Sequence, residues 1–222
     1  MSELKNKKVL LVITGGIAAY KSLELIRILK KKECSVKTIL SKNANKFVTP
    51  LSVTSLSQEK VYSDLFDPSS EAEMDHISLS RWADIILIAP ATANTLSKIS
   101  NASADDLAST VLLAANKEFF IAPAMNVRMW ENKSNKNNVN ILKNMGHEFI
   151  GPVIGDMACG EYGEGKMTEP EEIVKYLEIK HKELKKNNGL KAIVTAGPTK
   201  EFIDPVRLSL IHISEPTRHR YI

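Results

Sequence analysis

Cysteine is scarce in this sequence: only Cys34 and Cys159 occur among 222 residues. Two cysteines are too few for a disulfide framework or a cysteine-based zinc site, and we predict no metal. No uninterrupted apolar run reaches the ~18 residues that a membrane-spanning helix requires. The basic and then apolar N-terminus is about one strand long, and helix-start residues follow it instead of a cleavage site. These absences lead us to expect a cytoplasmic protein without a membrane partner.

Aromatic residues and net charge are also low. Aromatics make up 6% of the chain, which leaves little for a surface that stacks bases. The net charge is +4, and the lysines cluster in runs typical of solvated helix ends. We therefore predict no nucleic-acid partner. A hydrophobic content of 43% is ordinary for a globular protein, and this length can bury one good core.

Short apolar runs rich in β-branched residues and leucine alternate with segments of helical apolar spacing. This alternation, with continuously apolar strands, predicts an α/β fold: a three-layer, doubly wound parallel sheet of the Rossmann-like or flavodoxin-like type. The predicted strands are 8–13, 35–40, 84–90, 118–123 and 147–152, and the predicted helices are 17–32, 91–99, 104–115, 134–145 and 169–186.

Small and polar residues follow several of these strands. In an open parallel sheet, ligands bind beyond the carboxyl ends of the strands. Glycines before a helix offer backbone N–H groups to an anion, and hydroxyl or amide side chains are neutral phosphate donors. The stretch TGGIAAYKS is neither the dinucleotide fingerprint nor a P-loop, so by itself it could be only a tight turn. Together the strand ends favour a mononucleotide site of unspecified type.

Two further segments carry candidate chemistry. His76 stands in EMDHISLSRWAD, between acidic residues and a short helix that precedes the third strand; a structural or merely exposed histidine is the alternative. Cys159 lies in GDMACGEYGEGKM, a four-glycine segment that we interpret as a mobile loop, with a plain surface connection as the alternative. An exposed thiol is a liability, which favours a functional reason for Cys159. Trp130, after the fourth strand, is predicted to be exposed.

Six motifs occur in the order known from the homo-oligomeric flavin-containing cysteine decarboxylases, and the resemblance covers about residues 7–207. They are TGGIAAYKS, DHISL, APATANTLSKI, ADDL, APAMNVRMW and ACGEYGEGKM. The resemblance implies a flavoprotein with FMN bound beyond the strand ends. It implies cofactor contacts from Gly15, Gly16, Ile17, Ser41, Thr92, Asn94 and Met125.

The resemblance also implies an activity: FMN-dependent decarboxylation of 4′-phosphopantothenoyl-cysteine to 4′-phosphopantetheine in coenzyme A biosynthesis. His76 would act as the base in thiol oxidation, Asn126 would hydrogen-bond the substrate carboxylate, and Cys159 would donate a proton from a lid. The implied substrate contacts are Asn126, Ala158, Cys159, Lys166 and Met167, with Lys166 replacing an arginine that is commoner in the family. The implied assembly is a homo-oligomer built from trimers, with active sites between subunits, in which Met129 and Trp130 would form interface core instead of facing solvent.

The C-terminal part suggests a second, incomplete domain. IVTAGPTKEFIDPVR resembles the opening of a phosphopantothenate–cysteine ligase, which uses CTP and Mg²⁺. The following LSLIHISEPTRHRYI departs from that pattern. We expect a decarboxylase domain at 1–186, a linker and truncated ligase start at 187–207, and a non-native, disordered tail at 208–222, without ligase activity in this chain.

Four alternatives remain open from the sequence. Two lie within the flavin-binding fold: a peptidyl-cysteine decarboxylase and a flavin prenyltransferase-like protein. A third is a non-catalytic flavin-binding subunit, although such proteins tend to lose the histidine or the lid cysteine, and this chain has both. The fourth is a nucleotide-binding module without flavin, which a colourless purified protein would favour.

Overall fold

The computed structural model describes residues 3–65 and 75–187, together with the backbone of 199–202 and 208–211. The chain divides into two compact units, Met1–Glu183 and Leu184–Ile222. Within the described residues, no helix is both long and apolar enough to cross a bilayer.

The first unit is built on a six-stranded parallel sheet. Its strands are β1 (Lys8–Ile13), β2 (Ser35–Leu40), β3 (Val61–Tyr62), β4 (Ile85–Ala91), β5 (Phe119–Pro123) and β6 (Glu148–Phe149). The spatial order is β3-β2-β1-β4-β5-β6, and every neighbouring pair is parallel. This is the Rossmann order, not the flavodoxin-like one. Successive strands are added on one side of β1 up to β3 and on its other side from β4 onward, so the switch point lies between β1 and β4. The predicted parallel α/β sheet is confirmed.

Helices cover both faces of the sheet. They are α1 (Ala19–Lys31), α2 (Pro50–Ser57), α3 (Asp75–Trp82), α4 (Ala93–Ser100), α5 (Leu107–Ala114), α6 (Val127–Glu131), α7 (Lys133–Asn144) and α8 (Pro170–Asn187). A short 3₁₀ turn, Ala44–Lys46, precedes α2.

Alternating residues of the central strands pack into two separate hydrophobic cores, one on each face of the sheet. In β1, Val9 and Leu11 pack with residues of α1 and α8, whereas Leu10 and Val12 pack with residues of α3, α4, α5 and α7. All seven residues of β4 are buried. A strand covered on both faces reads as a continuous apolar run, which is why the sequence pattern was informative here.

The fifth predicted strand, 147–152, was too long. Only Glu148–Phe149 pairs with β5, although the Ile150 N–H still donates to the Ile121 carbonyl at 2.8 Å. Beyond it, Gly151 has a φ of +83°, and Pro152 has no N–H to give to a ladder. The sequence reading also did not predict α2 or β3, while the short helix expected next to His76 is α3, which contains it.

The glycine-rich segment forms a hairpin in which β7 (Val153–Asp156) and β8 (Tyr162–Lys166) pair antiparallel. The interpretation of this segment as a plain loop was therefore wrong, and only 157–161 connects the two strands. Two of its glycines permit close packing. A Cβ on Gly165 would lie 2.3 Å from the Met125 carbonyl oxygen, and one on Gly163 would lie 3.0 Å from Val127 Cγ2.

The described backbone of the second unit consists of β9 (Thr199–Phe202) and β10 (Leu208–Ile211), which pair antiparallel. The tail from 208 onward was expected to be disordered or arbitrarily placed; its first four residues form β10, and the expectation stays a prediction. The predicted strand and turn of the ligase start at 190–196 and the remaining tail at 212–222 lie outside the described residues. The proposed domain boundaries stay a prediction.

Candidate active site

A cavity of about 1000 Å³ opens beyond the carboxyl ends of the strands, where the sheet order reverses between β1 and β4. Ligands of open α/β sheets bind at such switch points. Every residue predicted to contact the cofactor or the substrate contributes to the lining of this cavity. These residues are Gly15, Gly16, Ile17, Ser41, Thr92, Asn94, Met125, Asn126, Ala158, Cys159, Lys166 and Met167.

Thr14 joins the two loops that flank the switch point. Its hydroxyl donates to the Pro90 carbonyl oxygen at 2.6 Å and accepts from the Thr92 N–H at 3.2 Å. Thr14 is buried, so these bonds are shielded from water. The N-terminal ends of α1 and α4 are therefore held side by side at the mouth of the cavity.

The end of α1 is suited to an anion. Its N-cap residue, Ala18, provides no side-chain cap, and the first turn contains no acidic residue. The N–H groups of residues 19–21 already donate to the carbonyls of residues 16–18. The partial positive charge at this end of the helix is therefore what favours an anion, not free N–H groups in the first turn. Thr92 caps α4 by accepting from the Thr95 N–H at 3.4 Å, and the Ser41 hydroxyl accepts from Ala44 N–H at 3.3 Å.

Gly15 and Gly16 serve different purposes. A Cβ on Gly15 would lie 2.4 Å from Asn43 Cβ, so this glycine is required by the packing of the β2 loop against it. A Cβ on Gly16 would meet only Thr92 Cγ2, at 3.7 Å. Both glycines were expected from the sequence to let a ligand approach the backbone. For Gly15, the close contact with the neighbouring loop already explains why the residue is a glycine.

Asn126 is oriented by its role as the N-cap of α6. Its Oδ1 accepts from the Arg128 N–H at 2.8 Å and from the Met129 N–H at 3.3 Å. Because the oxygen is committed to the helix, Nδ2 is the end of the amide that remains for other partners. The cap therefore turns a pair of N–H donors towards the cavity and the hairpin.

Cys159 lies on the turn that connects β7 and β8, and it is exposed. Its Sγ is 3.9 Å from Asn126 Nδ2 and 3.9 Å from Glu161 Oε2. Asn126 Nδ2 also donates a hydrogen bond to that same Glu161 oxygen. The structure thus brings together two of the three predicted catalytic side chains, with a carboxylate that sequence reasoning did not select.

The turn itself is ordered by backbone bonds. The Gly160 N–H donates to the Met157 carbonyl, and the Met157 N–H to the Glu161 carbonyl, each at 2.9 Å. The Met125 N–H donates to the Gly165 carbonyl at 3.0 Å, which fastens β8 to the loop before α6. These bonds support the turn more than the glycine content led us to expect, and the mobility expected for it stays a prediction.

Lys166 does not face the cavity as an unpaired cation. Its Nζ is 3.7 Å from Glu169 Oε1, and the same oxygen accepts from Lys21 Nζ at 2.7 Å. Lys21 also reaches the Met167 carbonyl at 3.4 Å. The hydrogen bond from Lys21 is the main reason why the pKa of Glu169 is lowered. Lys21 was missed by sequence reasoning because its partner lies far along the chain.

A second group that was missed from the sequence forms a charged wall of the cavity. It consists of Lys98 and the two aspartates of the ADDL motif, Asp105 and Asp106. Lys98 Nζ lies 2.7 Å from Asp105 Oδ1 and 2.6 Å from Asp106 Oδ2. Burial acts to raise the pKa of Asp106, but hydrogen bonds from Lys98 and Ser109 outweigh it, and the pKa is lowered. Both aspartates therefore stay ionised and offer acceptors to ligand hydroxyl groups.

His76 is not brought to this cavity within one chain. It is the second residue of α3 and is half-buried, and it is not among the described residues that line the cavity. Trp130 is buried within its own chain, so it neither faces solvent nor needs a neighbouring subunit to cover it. Its indole lies in the core shared with α7, and Lys136 Nζ lies 4.2 Å from its ring centre.

An open parallel sheet with a ligand cavity at its switch point defines a Rossmann-type α/β protein. The chain matches the flavoprotein family over residues 1–182. It therefore belongs to the flavoprotein family, as the resemblance indicated.

Individual relatives agree with this family. The chain is 45% identical over 212 residues to the coenzyme A biosynthesis bifunctional protein CoaBC of Haemophilus influenzae, an alignment that covers 96% of this chain and 53% of the relative. The chain thus spans about half the length of the curated relatives it matches. The corresponding protein of Bacillus subtilis is 44% identical, with 92% and 51% covered.

Solved structures show the same fold. One is a cysteine-to-serine variant of PPC decarboxylase complexed with pantothenoylaminoethenethiol, with a TM-score of 0.74 and 32% identity over 80% of this chain and all of that chain. Another is the FMN binding protein AtHal3, with a TM-score of 0.72 and 31% identity over 81% and 98% of the chains. The peptidyl-cysteine decarboxylase EpiD is also similar, with a TM-score of 0.67, 28% identity, and 78% and 98% covered.

Proposed function

We propose that this chain decarboxylates 4′-phosphopantothenoyl-cysteine to 4′-phosphopantetheine with bound FMN. The observation that carries the proposal is the meeting of Asn126 Nδ2 and Cys159 Sγ, 3.9 Å apart, at the rim of the switch-point cavity. The similarity to PPC decarboxylase and to CoaBC proteins supports the substrate. A cytoplasmic location stays a prediction from the sequence, as do CTP and Mg²⁺ for a ligase half.

The cavity residues fit FMN. The uncapped end of α1, with Ser41, Thr92 and Asn94 beside it, would hold the phosphate. Ile17 and Met125 offer apolar surface for the ring. When bound, the flavin supplies a two-electron oxidation of the substrate thiol, which creates the electron sink that loss of CO₂ requires, and it returns the electrons afterwards.

Asn126 would hold the substrate carboxylate through Nδ2. A neutral amide can orient the carboxylate without the strong charge pairing that lysine or arginine would form, so it resists CO₂ loss less. The cap of α6 makes this donor available in a fixed direction, because Oδ1 already accepts two backbone N–H groups. The amide is thus preorganised for an anionic group.

Cys159 would donate a proton to the unsaturated product after CO₂ has left, and the two electrons that the flavin returns would complete its reduction. Its place on a turn over the cavity rim suits a group that approaches a bound ligand from the open side. Ala158, Lys166 and Met167 line the same side and would contact the substrate.

His76 would act as the base from a neighbouring subunit. Its position on α3, away from the described cavity lining, is consistent with a site completed by a second copy of this chain. A homo-oligomer built from trimers, with sites between subunits, satisfies this requirement. The exposed apolar side chains Ile17 and Tyr20 beside the cavity offer surface for such a contact.

Turnover by the FMN-loaded chain tests the proposal. We expect CO₂ and 4′-phosphopantetheine from 4′-phosphopantothenoyl-cysteine, followed by mass spectrometry, and no reaction after FMN is stripped. A peptide ending in cysteine serves as the competing substrate, because the similarity to EpiD favours it as the second candidate. Turnover of the peptide alone, or a purified protein that neither carries nor binds flavin, would overturn the proposal.

A further inference from the structure

Glu161 occupies the donor that the substrate carboxylate requires. Its Oε2 accepts the hydrogen bond from Asn126 Nδ2 and lies 3.9 Å from Cys159 Sγ. Asn126 and Cys159 line the cavity, whereas Glu161 reaches them from outside its lining, beside Arg128 and Tyr162. A carboxylate of the protein itself therefore lies at the point where a ligand carboxylate would bind.

The Glu161 carboxylate also fastens the turn that carries Cys159. The backbone of Glu161 is fixed by the Met157 N–H, at 2.9 Å, so its side chain extends from an ordered base. The bond from Asn126 Nδ2 then ties this base to the N-terminus of α6. Cys159 is two residues away, and its position depends on whether this bond is made.

The charge of Glu161 has no ion-pair partner among the described residues, because no described salt bridge includes it. A second carboxylate at Asn126 Nδ2 would therefore meet an uncompensated like charge at close range. Like charges in contact disfavour binding unless one of them moves. The Glu161 side chain is the part that can move, because the cap holds Asn126 in place and backbone bonds hold the turn.

We propose that Glu161 is a positioning and specificity residue that competes with the substrate carboxylate for Asn126 Nδ2. This inference rests on the proposed function. Substrate binding displaces the Glu161 side chain from Asn126 Nδ2. Loss of CO₂ frees Nδ2, and Glu161 returns to it.

Two ligands that differ only in the carboxylate test the competition. The first is 4′-phosphopantothenoyl-serine, in which a hydroxyl replaces the thiol, and the second is 4′-phosphopantothenoyl-ethanolamine, which lacks the carboxylate. Titration calorimetry on the FMN-loaded Glu161→Gln variant should show about three- to tenfold tighter binding of the serine ligand than in the wild type. The ethanolamine ligand should change by less than about twofold, because it makes no contact with Nδ2.

Glu164→Gln is the matched control, since Glu164 lies on the same hairpin with only a 4.0 Å ion pair to Lys136, and it should leave both affinities unchanged. An equal change for both ligands in Glu161→Gln, or weaker binding of the serine ligand, overturns the competition. If the wild type binds neither ligand, the proposed function fails and the competition falls with it.

Hydrogen exchange measures the fastening of the turn independently of substrate. In Glu161→Ala, the amides of 157–161 should exchange several-fold faster than in the wild type, while those of α6 beyond its first turn stay unchanged. Unchanged exchange in the turn would show that Glu161 does not fasten it, whatever the ligands do.

Discussion

Asn126 shows how a local rule prepares a functional side chain. An asparagine before a helix is a common cap, but α6 was not predicted from the sequence, and Asn126 was given only the substrate role that the resemblance implied. The structure adds that capping fixes which end of the amide is presented, with Nδ2 towards Glu161 and Cys159. The residue was predictable from the motif, but the competing carboxylate was not, because no local pattern distinguishes Glu161 from the other exposed acids.

Asn126→Asp separates the two roles of this residue, which are to cap α6 and to bind the substrate carboxylate. Aspartate also caps helices, so α6 keeps its cap, and the melting temperature should fall only slightly, through loss of the bond to Glu161. The new carboxylate replaces the Nδ2 donor and repels the substrate carboxylate, which should lower kcat/KM at least about a hundredfold. Steady-state kinetics and thermal unfolding on the same preparation check both expectations. Full activity in Asn126→Asp would exclude carboxylate binding by Nδ2.

The β7–β8 hairpin shows what the sequence could not supply. The four glycines of this short segment led us to predict a mobile loop. In the structure Gly163 and Gly165 instead permit contact with Val127 and Met125, residues nearly forty positions earlier. Such contacts are invisible to local propensity. The strands β1 and β2, in contrast, were predicted to the residue. Burial on both faces gives β1 a continuous apolar run from Val9 to Ile13, whereas β2 carries the exposed Ser35 and the half-buried Lys37 among its buried residues.

Gly165→Ala should loosen the hairpin. Its Cβ would overlap the Met125 carbonyl oxygen at 2.3 Å, so β8 must shift and the 3.0 Å bond from the Met125 N–H is lost. We expect about 1–3 kcal/mol lower unfolding free energy, measured by urea titration. Gly160→Asn is the control, because nothing lies within 4 Å of a Cβ there and asparagine tolerates a φ of +81°. Equal stability of both variants would contradict the packing argument.

Glu148 connects β6 to α8 and makes their contact pH-dependent. Burial acts to raise its pKa, but hydrogen bonds from Lys180 and Tyr176 outweigh burial, and the pKa is lowered from 4.5. A lowered folded-state pKa stabilises the fold above the unfolded pKa, and this contribution disappears as the pH falls through the folded pKa.

Glu148→Gln should therefore lower the unfolding free energy by about 1 kcal/mol at pH 7, and the difference from the wild type should shrink below about pH 4. Urea titrations at several pH values measure it. Glu172→Gln, which removes an exposed acid of α8 paired with Lys175 at 3.7 Å, is the control and should have little effect. A constant difference at all pH values would contradict the assigned cause.

The cavity lies beyond the carboxyl ends of the strands, at the switch point of the sheet. Its position beyond the strand ends was predicted from the sequence. Residues after four parallel strands had to share one edge of the sheet, and the structure gathers them there. The pairings of Lys21 with Glu169 and of Lys98 with the two aspartates depend on tertiary packing, so the sequence did not reveal them. Nor could one sequence say that His76 lies apart from the other two candidates.

Mixing two inactive variants tests whether subunits share each site. His76→Asn and Asn126→Asp should each be inactive alone. If each site takes His76 from one subunit and Asn126 from its neighbour, random co-assembly restores about a quarter of the sites. Co-expression followed by an activity assay measures the recovery. No recovery in oligomers shown to contain both variants would place the two residues in the same chain's site or exclude His76 from it.

The product of Cys159→Ser tests most directly whether oxidation, CO₂ loss and final protonation occur at this cavity as separate steps. With FMN and 4′-phosphopantothenoyl-cysteine, we predict CO₂ release and a product about two mass units lighter than 4′-phosphopantetheine, an unsaturated enethiol. High-resolution mass spectrometry of the quenched reaction distinguishes the two products. Saturated 4′-phosphopantetheine formed at the wild-type rate, or no CO₂ release at all, would contradict the account.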